Sequence, residues 1–117
     1  IYYLYTMKSV IYFVFKINEE NYIDDIQSQI NHDVKQYIIT DISNPSKSIY
    51  NKVDNIFYFK DKISCLNGTM HLLNYLETFN CTETLLLNTN KQYDLSQLTY
   101  KNISNVKEEF AVVNNIL

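Results

Sequence analysis

Ser9-Val10-Ile11-Tyr12-Phe13-Val14-Phe15-Lys16 is the stretch on which the reading of this chain turns. Its β-branched and aromatic residues follow one another without a polar break, which suits a pleated surface and not a helix. The run predicts a central strand, with the other segments beside it or across its faces. Ahead of it, Ile1-Tyr2-Tyr3-Leu4-Tyr5-Thr6 reads as a short additional strand. A membrane-spanning helix needs about 20 mostly apolar residues, and residues 1–17 are interrupted at Thr6, Lys8 and Ser9. No membrane span is expected. A secretory leader starting at Met7 would have only Val10–Phe15 as its apolar centre, with no small-residue cleavage site after it.

Downstream, Asn18-Glu19-Glu20 has the composition of a helix start, an N-cap followed by acids where the helix dipole favours them. Ile23, Ile26, Ile30 and Val34 recur at helical spacing. Residues 34–40 return to strand composition. Asp41 to Asp54 is polar and holds the single proline, so it reads as a surface loop or insertion. Asn55–Lys60 predicts a strand, and Asp61 to Gly68 a connection. Thr69 is placed to cap a second helix through Phe79, with Leu72, Leu73, Leu76 and Phe79 on its buried stripe. Thr82–Asn88 predicts a closing strand. In the last stretch Asn105 and Glu108 have capping-box spacing, and Val106, Phe110, Val113 and Leu117 fall on one helical face.

The order strand, helix, strand, strand, helix, strand is that of the ferredoxin-like split βαβ arrangement. The expectation is one α+β domain over residues 1–92, an antiparallel sheet with two helices on one face, plus an extra N-terminal strand. Residues 93–117 follow as a partly helical C-terminal tail. Side chains alternate along a strand, so Ile11, Phe13 and Phe15 would face the helices, and Tyr12, Val14 and Tyr58 the open face.

Composition narrows the function classes. The 117 residues include eleven Tyr, six Phe, one Gly, one Pro and no Arg, and the net charge is −3. The Lys, Asn, Ile and Tyr bias is that of AT-rich coding DNA. Nucleic-acid binding needs a positive footprint and guanidinium forks, and neither is present. A phosphate-cradling loop or nucleophile elbow cannot be built from one glycine. His32 and Asp33 are helix neighbours and do not face each other, while Asp24 and Asp25 form a solvated face. No nucleophile, base and orienting group come together, so the expectation is a non-enzymatic protein without cofactor or metal.

Cys65 and Cys81 flank the second predicted helix. Two readings stand: buried free thiols, because a helix of roughly 16 Å separates them, or a disulfide if the chain is secreted. Asn67-Gly68-Thr69, Asn80-Cys81-Thr82 and Asn102-Ile103-Ser104 are N-glycosylation sequons, which point to the secretory pathway or the extracellular space.

Val10–Lys16 resembles the opening strand of subtilisin-type protease propeptides, and Glu83–Asn88 is similar to their closing strand. The resemblance covers residues 9–92 and lies in element order. It implies a folding assistant and inhibitor of a subtilisin-like serine protease, docked through Tyr12, Val14 and Tyr58. Asn114, Asn115, Ile116 and Leu117 would then lie in the protease cleft. The alternatives are a secreted parasite or viral protein-binding module and a small structural subunit of a larger assembly. All three act by protein–protein contact.

Overall fold

The structure, a computed structural model, describes residues 7–17, 21–43 and 53–114. The segment Ile1–Thr6, the Asn18 cap, the Pro45 loop and residues 115–117 lie outside these. The described chain is α+β, a mixed sheet of five strands with three helices. In order these are β1 (Met7–Val14), α1 (Ile23–Gln27), β2 (Lys35–Thr40), β3 (Asn55–Tyr58), α2 (Lys62–Thr78), β4 (Cys81–Asn88), β5 (Lys101–Asn102) and α3 (Ile103–Asn114).

The expected antiparallel split does not form. The strand order is β3-β2-β1-β4-β5, and β1–β2, β1–β4 and β2–β3 all pair parallel. Only the two-residue β5 runs antiparallel, against Glu83 and Thr84 of β4. A split βαβ unit would insert β3 between β1 and β2; here β3 lies outside β2. The physical reason is the length of the 41–54 connection. Parallel strands require a crossover of a dozen or more residues, and this connection has that reach.

A parallel sheet wound this way is covered on both faces. Ile11, Phe13, Phe15 and Ile39 pack with Leu72, Leu73 and Leu76 of α2 and with Ile103 and Val106 of α3. On the opposite face Val10, Tyr12, Val14 and Ile38 pack with Ile23 and Ile26 of α1 and with Val34. That explains the unbroken apolar run of β1: from Ser9 onward no residue of the strand faces water. Residues 93–114, read as a tail, are built into the same cores. Tyr93 and Tyr100 pack on the α1 face, while Ile103, Val106 and Ala111 are buried. Asn102 Oδ1 accepts from Ser104 N–H at 2.9 Å to start α3. Ser104 Oγ and Lys107 Nζ then both donate to the Glu77 carboxylate, tying α3 to α2.

Two helix boundaries differ from expectation. α1 ends at Gln27, because Ser28 Oγ turns back to Asp25 O at 2.6 Å; Ile30 still reaches the α1-side core from the following turn. α2 starts seven residues earlier than Thr69, capped by Asp61, whose carboxylate accepts from Ser64 N–H at 2.8 Å. Thr69 is buried within α2 and donates to Cys65 O. Gly68 belongs to this helix because the Phe59 ring lies on it: a Cβ there would collide with Phe59 Cζ. Ala in place of Gly should favour a helix by about 1 kcal/mol. Here Gly68→Ala is expected to destabilise by about 1–2 kcal/mol, because the ring must leave its seat. Adding Phe59→Ala should return the helix gain. Chemical denaturation of both variants checks the pair.

Candidate functional site

In an open parallel sheet, ligands bind outside the carboxyl ends of the strands, where connections on opposite faces leave a crevice. Here that place is between β1 and β4. The chain leaves β1 through α1 toward β2 on one face, and reaches β4 through α2 on the other.

The loops above this point are held by specific bonds. Asp41, just past β2, accepts from Lys16 N–H at 2.8 Å and so joins the ends of β1 and β2. Thr89, just past β4, donates from both N–H and Oγ1 to Phe13 O, at 3.1 and 3.0 Å. Its own carbonyl accepts from Tyr22 N–H at 2.8 Å, which anchors the approach to α1. Asn88 N–H donates to Tyr93 Oη at 3.2 Å. Lys62, at the start of α2, carries its ammonium 5.5 Å from the centre of the Phe15 ring, a cation–π arrangement.

Of these residues Phe13, Phe15, Lys62, Asn88 and Tyr93 border a cleft of about 690 Å³. Its lining runs from Phe13, Phe15, Leu87 and Asn88 at the strand ends along Thr84–Leu86 of β4, and is completed by Lys62 and Leu66 of α2, Val106, Glu109 and Phe110 of α3, and Tyr93, Leu98 and Lys101. Sites for small ligands span roughly 300–1,000 Å³ and are mostly apolar with a few polar groups, as here. No protein-family model, curated protein or solved structure matches this chain. What the cleft can bind therefore follows from its own side chains. Lys62 supplies a cation, Asn88 an amide, and Phe15 and Tyr93 flat rings.

The residues expected to make a partner face are arranged differently. Tyr12, Val14 and Tyr58 do share one face, as the Val14–Thr40–Tyr58 register requires, but α1 covers it. Tyr12 is fully buried, with its hydroxyl donating to Gln36 Oε1 at 2.8 Å, and Val14 is buried too. Tyr58, on the edge strand, is half exposed. Asn114 ends α3, while Asn115, Ile116 and Leu117 lie outside the described residues. The sequon residues Asn67, Asn80 and Asn102 are all exposed. Among the described residues no His, Cys, Asp and Glu cluster is placed to hold a metal. No helix there is long and apolar enough to cross a membrane.

Cys65 and Cys81 are buried free thiols, so the disulfide alternative does not form. Burial pushes the Cys65 thiol up to about 11, with the Asp41 and Asp61 carboxylates adding to the effect, and burial raises Cys81 as well. A raised thiol pKa leaves little thiolate at neutral pH, and thiolate is the reactive form. Both cysteines should resist Ellman's reagent in the native protein at neutral pH and react together on unfolding. Timed thiol titration with and without denaturant checks this.

The sequence reading passed over Phe15, Lys62, Asn88 and Tyr93 as site residues. A signal existed for Asn88: Asn88-Thr89-Asn90 ends an apolar strand in polar residues. Such an ending points to a site once the strand is known to be parallel.

Proposed function

We propose that this chain is a small-molecule-binding domain that takes a mononucleotide-type ligand, a flat ring system bearing an anionic group. The crevice at the carboxyl ends of β1 and β4 would be its seat. The observation that carries the reading is the strand order β3-β2-β1-β4, with α1 and α2 on opposite faces, opening into the 690 Å³ cleft. A ring system fits between the Phe15 and Tyr93 sides, and the anion is neutralised by Lys62. The glycine-rich turn that lets a backbone approach a pyrophosphate is missing, since the single glycine is packed under Phe59. Side chains must do the recognition, which favours one phosphate group over a dinucleotide.

Amide chemical shifts of the labelled chain, followed during titration with AMP, UMP and inorganic phosphate, test this. Support would be shifts confined to residues 13–17, 62–66 and 87–91 with either nucleotide, weakened about tenfold or more in Lys62→Ala. No shift up to a dissociation constant of about 1 mM, or shifts elsewhere on the fold, would overturn it.

A further inference from the structure

Residues 91–100, which join β4 to β5, border the crevice without a core anchor of their own. None of them is fully buried: Tyr93, Leu95 and Tyr100 are half-buried against the α1-side cluster, and the rest are exposed. The segment is also undercut. The crevice lies on its side toward α2 and α3, where Tyr93, Gln97 and Leu98 line it. A second cavity of about 360 Å³ lies toward α1, between Leu95, Ser96 and Tyr100 of this segment and Gln29 and Asn31 opposite. A segment between two cavities has few packed neighbours to fix it, so specific bonds must.

Gln29, two residues past the end of α1, supplies them. Its Oε1 accepts from Leu95 N–H at 2.9 Å, and its Nε2 donates to Tyr93 O at 2.8 Å. Nε2 also donates to Asp25 O at 3.3 Å, which holds the side chain back against α1. Fixing a long, exposed side chain in one conformation costs entropy, and here both ends of the amide are engaged. The residue they hold in place is Tyr93. Its main chain is clasped by Gln29, and its phenol oxygen accepts from Asn88 N–H at 3.2 Å at the end of β4.

We infer that Gln29 is a positioning residue of the crevice: it sets the place of the Tyr93 ring, and with it the side that a bound ring system meets. The effect on binding rests on the nucleotide reading; the hold on Tyr93 does not.

The test compares the parent chain with Gln29→Ala and Gln29→Glu. Amide hydrogen exchange followed by NMR reads the clasp without ligand, and titration with AMP reads its consequence. In Gln29→Ala the Leu95 and Asn88 amides should both exchange about tenfold or more faster, because Tyr93 leaves Asn88. In Gln29→Glu the carboxylate still accepts from Leu95 but faces the Tyr93 carbonyl, so only Asn88 should quicken. AMP should bind each variant about three- to tenfold more weakly. The core amides of Ile11 and Ile39 should exchange as in the parent, which separates lost placement from lost fold. Unchanged Asn88 exchange in Gln29→Ala would overturn the inference, since Tyr93 would keep its place unclasped. Faster Asn88 exchange with unchanged AMP affinity would overturn it too. Equal acceleration at Ile11 and Ile39 would replace it with a purely structural role. AMP binding to neither parent nor variant would sink the nucleotide reading, and Asn88 exchange alone would then decide whether Gln29 places Tyr93.

Discussion

Tyr12→Ala is expected to lower the unfolding free energy by about 3–5 kcal/mol, measured by urea or guanidinium denaturation. The ring is fully buried beside Ile23, Ile26 and Ile38, so its removal leaves a cavity in the layer between the sheet and α1. Its hydroxyl is also the donor to Gln36 Oε1, an atom that further accepts from Gln27 Nε2 at 3.4 Å. Burial, with the nearby Tyr100 phenol, raises the Tyr12 pKa, so the group donates as a neutral phenol across the working pH range. Tyr12→Phe keeps the ring and removes the donor. It should cost about 1–2 kcal/mol, the usual effect of taking away one buried partner. On an open sheet face either change would be nearly silent.

Leu73→Ala makes the matching test on the other face. Leu73 is fully buried between α2 and the strands, in the cluster of Ile11, Phe13, Ile39 and Leu76. The expected loss is about 2–5 kcal/mol by the same measurement. The two changes sit on opposite sides of the sheet and share no cluster, so the double variant should lose the sum of the single losses. Large additive losses on both faces are the signature of a sheet enclosed between two layers. A sheet with helices on one face would give one large loss and one small one.

Much of this was legible in the sequence, although its topology was not. The strands at Val10–Val14 and Leu85–Leu87, the α1 stripe of Ile23 and Ile26, and the helix-facing set of Ile11, Phe13 and Phe15 follow from periodicity and are found, although β1 stops one residue short of Phe15. The element order alone fits both a split antiparallel sheet and a parallel one. What separates them is whether β2 and β3 are joined by a hairpin or a crossover. The length of 41–54 carried that information, as did the unbroken apolarity of Val10–Phe15, since a sheet open on one face alternates. Gly68 misled in a different way. With residues 61–68 read as a connection the helix starts at Thr69, yet Gly68 lies inside α2 with its place set by the Phe59 ring, a contact that local propensity does not contain. The site was hidden for the same reason as the topology. Phe15, Lys62 and the neighbouring Asn88 and Tyr93 come from three distant parts of the chain, and they converge only when β4 lies beside β1 in parallel.

The parallel placement of β1 between β2 and β4 is what creates the crevice and the burial of Tyr12. Inter-strand nuclear Overhauser contacts in the labelled chain measure it directly. The expected result is contact from the backbone of Tyr12 to Ile38 on one side and to Leu87 on the other, repeated along both strands in parallel register. Contacts from Tyr12 to residues 55–58 in antiparallel register would place β3 beside β1 and contradict the account.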